Sequence, residues 1–166
     1  MLRTACRSRI CALLGLLPLG FAACASAQLL QHKDLSYAIA KTIAETAIED
    51  CRVRGYAVAA VVVDRAGDTI VALRADNAAP HTMENARRKA YTARTFRMTT
   101  DEFAKRMASE PVRREQTTLP GVIAIPGGVP IRVGDDVIGG VGLSGSPGVD
   151  EPCVMAGIDK VREQLK

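Results

Sequence analysis

The chain has 166 residues, 48% of them hydrophobic and 24% charged, with no tryptophan and 4% aromatic residues. That is the composition of an ordinary globular protein, long enough for one domain with a sizeable core, and it offers no aromatic platform on which nucleobases could stack. The formal charge is +4, but Arg3, Arg7 and Arg9 lie in a leader-like start that holds no acid, so the remainder carries about +1 and lacks the basic excess of a nucleic-acid binder.

Residues 1–27 read as an export signal rather than as part of the fold. After the three arginines comes an apolar run from Ile10 to Ala23, broken by Gly15, Pro18 and Gly20, and then Ala25-Ser26-Ala27 as a small-x-small cleavage site before Gln28. The run is too short to span a bilayer. The expectation is a periplasmic or secreted protein. Phe21-Ala22-Ala23-Cys24 supports a second reading, a lipoprotein held at the membrane through Cys24, although its phenylalanine is atypical. Residues 28–166 are expected to form a single domain.

The first helix is expected over 35–52, with Leu35, Ala38, Ile39, Thr42 and Ile43 on one stripe, Asp34 as N-cap and Gly55 as stop. Residues 57–64 (AVAAVVVD) read as a strand buried on both faces, and residues 69–74 return antiparallel after a short turn. A helix over 82–97 follows, with Thr82 as N-cap. Ala86, Ala90 and Ala93 fall on one stripe of it, which lets a neighbouring backbone come close. Arg87, Arg88, Lys89, Arg94 and Arg97 lie elsewhere on that helix, with no acid between Asn85 and Thr100. Thr99 and Glu102 have the spacing of a capping box and start a helix to about Ser109. Residues 110–120 read as a surface loop. Residues 122–125, 129–133 and 137–143 read as three strands, the last two a hairpin around Gly134, which completes five mostly antiparallel strands. Gly139, Gly140 and Gly142 imply close backbone approach along the last strand. Asp150 is the expected N-cap of a final helix with Val154, Ile158, Val161 and Leu165 on its buried stripe.

Cys51 ends the first helix and Cys153 begins the last. Export makes a disulfide between them chemically feasible, and two buried free thiols fit the sequence equally well. Gly140-Val141-Gly142-Leu143-Ser144-Gly145 matches a dinucleotide fingerprint literally, but Ser146-Pro147-Gly148 follows it where a helix is required. With one histidine, His81, in the structured region and the cysteines on different helices, a metal-only site is not expected. His81 sits before the basic helix, where it reads as a loop residue within reach of a ligand or an iron. Phe96 reads as core by its position and is kept among the ligand-contact candidates. The basic helix, the Arg74-Ala75-Asp76 step and the glycine-rich strand together predict a crevice for an anionic small molecule.

Three runs carry a family resemblance: VVVDRAGDTIVALRADNAAP, ARRKAYTARTF and IPGGVPIRVGDDVIGGVGLSGSP. In that order they resemble the HbpS/GlcG-like haem-binding family, also called the haem-degrading domain, over essentially the whole chain after the leader. The export signal and Lys89-Ala90-Tyr91-Thr92-Ala93 are similar to its extracellular branch. The resemblance implies a profilin-like α/β/α sandwich, homo-oligomers, and binding of haem or a related tetrapyrrole for storage, sensing or degradation. Other members imply an alternative, an oligomeric module for a small carboxylate such as glycolate. The resemblance also implies Arg74, Asp76, Lys89, Thr92, Thr100, Gly127, Gly128 and Ser144 as matching site positions, to which the basic helix adds Arg87. It assigns no catalytic residue, so enzymatic activity rests on the family name, and the expected partner is a small molecule rather than nucleic acid.

Overall fold

Residues 28–166 are described by a computed structural model; the expected export signal, its expected cleavage site and Cys24 lie outside the described residues. The elements are α1 (Tyr37–Val53), β1 (Ala59–Val63), β2 (Thr69–Arg74), α2 (Thr82–Phe96), α3 (Thr100–Ser109), β3 (Gly128–Val133), β4 (Asp136–Ser144) and α4 (Asp150–Lys160). All strand pairs are antiparallel, in the order β2-β1-β4-β3. No described helix is long and apolar enough to cross a membrane.

The alternation of β1 builds two cores. Ala60 and Val62 point to one face and pack with Ile43, Ala44 and Ala47 of α1 and Val154 of α4. Ala59, Val61 and Val63 point to the other and meet Ala86 and Ala90 of α2. A third cluster, Phe103, Met107 and Val122, fills the space under α3 with Tyr91 and Phe96 packed against it. The result is a sheet sandwiched between α1/α4 and α2/α3.

The sheet has four strands, not the five expected. Residues 122–125 form no strand although Val122 and Ile123 are buried. Their backbone is taken up by α2 instead: the Ile123 N–H donates to Thr92 Oγ1 at 2.9 Å, and Arg88 donates to the Val122 carbonyl. Side chains from a helix here replace a ladder. Three expected caps also move. Ser36 rather than Asp34 caps α1, accepting the Ile39 N–H. His81 rather than Thr82 precedes α2, where Thr82 donates its hydroxyl to Ala79 O. Val149 rather than Asp150 precedes α4. The Thr99/Glu102 capping box is present, and the expected loop after α3 is a 3-10 helix over Pro111–Thr118.

Cys51 and Cys153 are joined by a disulfide that ties the end of α1 to the first turn of α4, with both residues fully buried.

Candidate functional site

The alanine stripe of α2 and the glycines of β4 face each other, as expected, but they leave no crevice. A Cβ on Gly142 would stand 2.2 Å from Ala86 O and 2.5 Å from Ala90 N, and one on Gly140 would stand 2.4 Å from Ala90 O. Helix and strand backbones are in direct contact. The small residues serve packing, and the hollow lies instead at the N-terminal end of α2, where β4 gives way to the loop before α4.

That cavity has a volume of about 600 Å³, within the range of small-molecule sites. Ala57, Ala79, Ile125, Pro126, Gly145 and Pro147 give it largely apolar walls, and its polar lining comes from Asn77, His81, Thr82, Asn85, Lys89 and Ser144. His81 is exposed at the start of α2, and Ser144 is buried at the end of β4.

The charge in its wall is an ion pair taken almost entirely from water. Lys89 is 1% exposed and Asp150 6%. Lys89 Nζ donates to Asp150 Oδ2 at 2.5 Å and to the Leu143 carbonyl at 2.9 Å. The other oxygen, Asp150 Oδ1, accepts from the Ser146 N–H at 2.9 Å and from the Ser146 hydroxyl at 2.6 Å. The Ser146 hydroxyl in turn lies 3.1 Å from Cys51 Sγ. A buried ammonium is tolerable when its charge is met and its protons are bonded. Three elements supply the partners: α2, the end of β4, and α4. Gly127 is a glycine for the same reason. Its φ is +116°, and a Cβ there would sit 2.6 Å from Asp150 Cβ and 3.0 Å from Lys89 Nζ.

The other expected site residues scatter. Thr92 and Thr100 are fully buried and hold backbone: Thr92 receives Ile123 N–H, and Thr100 Oγ1 receives Gly128 N–H at 2.8 Å. Gly128 lets β3 approach the Lys89 carbonyl. Phe96 packs on Phe103 with ring centroids 4.4 Å apart. Arg87 turns outward and pairs with Glu84 at 2.9 Å, which holds the Glu84 carboxyl below its usual range through that hydrogen bond. Arg74 and Asp76 line a separate hollow beside Tyr56 that shares only Ala57 with the cavity. Of the eleven expected ligand contacts, His81, Lys89 and Ser144 line the cavity. Asp150, Asn77 and Asn85 were not among the expected contacts. Asp150 carried a signal only as a helix-start residue, because its partner is 61 positions away.

No described group of three or more His, Cys, Asp or Glu side chains could hold a metal ion. For a haem iron the donors are fewer still. The two cysteines are spent in the disulfide and the Thr100 hydroxyl is committed to Gly128. The imidazole of His81 lines the cavity and is the strong ligand type among its lining residues. Apolar walls and a histidine at the mouth fit a tetrapyrrole.

The family model described as "Haem degrading protein HbpS-like" matches residues 35–159. Among solved structures, a double mutant of HbpS from Streptomyces reticuli is 34% identical with a TM-score of 0.76, covering 84% of this chain and 97% of that one. Protein ORFY of Klebsiella pneumoniae is 27% identical with a TM-score of 0.72, covering 80% and 94%. A structure of the PduOC complex with haem is 25% identical with a TM-score of 0.68, covering 75% and 93%. No curated protein matches the chain by sequence. The sandwich described above is the profilin-like fold these structures share.

Proposed function

The chain belongs to the HbpS-like haem-degrading protein family, and on that basis we propose that it binds haem or a related tetrapyrrole in the cavity at the N-terminal end of α2. The observation that carries the reading is the single imidazole, His81, on the lining of a largely apolar cavity of about 600 Å³. A bound haem would supply an iron centre for ligand or electron chemistry. The chain's own part is to hold it. Ala57, Ile125, Pro126 and Pro147 would give the ring an apolar bed, His81 would offer an imidazole nitrogen to the iron, and Asn85 and the first turn of α2 would offer donors to carboxylates. The similarity to a haem complex supports the same ligand.

The cavity's carboxylate, Asp150, is committed to Lys89 and Ser146, which favours capture over turnover: storage, scavenging or sensing. We further read residues 1–27 as an export signal, which supports activity outside the cytoplasm, as a soluble product or anchored through Cys24, in a homo-oligomer. Titrating haemin into the purified protein should give a saturable Soret band that His81→Ala shifts or abolishes while His32→Ala leaves it unchanged. Absence of a saturable band in the unaltered protein refutes the proposal. Thermal stabilisation by glycolate but not by haemin would select the small-carboxylate module instead.

A further inference from the structure

The opposite end of α2 carries a second hollow with a different chemistry. Arg97 follows α2, Arg106 comes from α3 and Arg132 from β3, and the three line an open cleft of about 600 Å³ floored by Met98, Val129 and Pro130. It shares no lining residue with the His81 cavity. Arg97 has φ +57°, the left-handed position after a helix that usually goes to glycine or asparagine.

The positive charge here is poorly matched. The cleft's carboxylate, Glu102, is drawn into the capping box, accepting the Thr99 N–H at 2.8 Å. Arg106 has Glu110 only at 3.8 Å. Arg97 and Arg132 enter none of the ion pairs among the described residues. Arg132 donates instead to the Arg97 carbonyl. On α2, outside the cleft lining, the Arg94 Nε is buried with no hydrogen-bond partner. Burial, followed by Arg97 and Arg65, pulls that guanidinium below its usual range, with Asp136 and Asp64 opposing. Asp136 is itself taken by Arg65.

We propose that this cleft is a second ligand site, which takes a small polyanion carrying two or more carboxylate or phosphate groups. Guanidinium forks from three separate elements suit several oxyanions on one compact body, and neither one helix nor one loop supplies them. A ligand that binds the folded cleft and not the unfolded chain raises the unfolding temperature.

Calorimetric titration of the purified protein at physiological salt tests this with citrate and pyrophosphate as probes, and with acetate as the monovalent control. At least one probe should bind saturably, and which one identifies the carboxylate or the phosphate source. Arg97→Gln and Arg132→Gln should each weaken that binding tenfold or more while keeping the unfolding midpoint without ligand. His81→Ala should leave it unchanged, and the haemin titration should be unchanged in both arginine variants. The proposal is overturned if neither polyanion saturates, if acetate binds as well, or if binding survives both substitutions. It is equally overturned if the arginine variants abolish the haemin band, because the cleft is then the haem seat.

Discussion

Removing the carboxylate of Asp150 should damage this protein more than removing the ammonium of Lys89. In Asp150→Ala the ammonium stays 1% exposed with the Leu143 carbonyl as its remaining partner. Breaking a buried pair from one side costs about 3–5 kcal/mol. The Ser146 N–H and hydroxyl lose their acceptor as well, at about 1 kcal/mol each. The sum, about 5–7 kcal/mol, reaches the lower end of the stability of a domain this size, about 5–15 kcal/mol. In Lys89→Met the thioether fills the stem's volume, and Asp150 keeps both Ser146 bonds at the start of α4, where the helix dipole favours negative charge. That change should cost about 2 kcal/mol. Combining Lys89→Met with Asp150→Asn removes both charges and should recover part of the loss. Urea unfolding followed by circular dichroism measures all three. If Asp150→Ala is the milder single variant, or costs under about 1 kcal/mol, the pair is not what anchors α4 to α2.

Three further outcomes follow from the same geometry. Gly142→Ala places a methyl 2.2 Å from Ala86 O and should cost about 3 kcal/mol by forcing α2 off the sheet; an unchanged melting temperature would contradict the backbone contact. The double variant Cys51→Ser with Cys153→Ser opens a loop of 102 residues and should lower stability by about 4–5 kcal/mol, visible as a lower urea midpoint. Burial, then Asp101 and Glu102, push the Glu151 carboxyl up, with Lys105 opposing. The folded state therefore holds that proton more tightly than the unfolded chain, and stability falls as the pH rises through the folded-state pKa. Glu151→Gln should gain up to about 0.5 kcal/mol at neutral pH and nothing below about pH 4, measured as unfolding midpoints across that range. A gain that persists in acid would mean the effect is not electrostatic.

Much of the architecture could be read without coordinates. An unbroken apolar run placed β1, turn residues placed the returning β2 and the β3–β4 hairpin, and stripes at helical spacing placed α1, α2 and α4, because each signal needs only neighbouring residues. The Thr99/Glu102 box marked the start of α3 for the same local reason. Gly140 and Gly142 correctly announced a close backbone approach, though not that the approach would close the gap rather than leave one.

The site was less legible because polar partners are chosen across the fold. Arg87 and Lys89 look alike two positions apart on a cationic helix. One turns to Glu84 and water, and the other is buried against Asp150. Thr92 and Thr100 match family positions yet serve as acceptors for the backbone of Ile123 and Gly128. Residues 122–125 have a strand's apolar content, and the hydroxyl and guanidinium of a neighbouring helix claimed their hydrogen bonds first. Sequence alone determined which stretches bury which faces, and three of its motif runs carried the family resemblance. Tertiary structure alone decided which charges were matched, and therefore which end of α2 was left hollow and apolar and which was left open and cationic. Burial is written in local periodicity, whereas charge is settled by whatever distant group arrives within hydrogen-bonding reach.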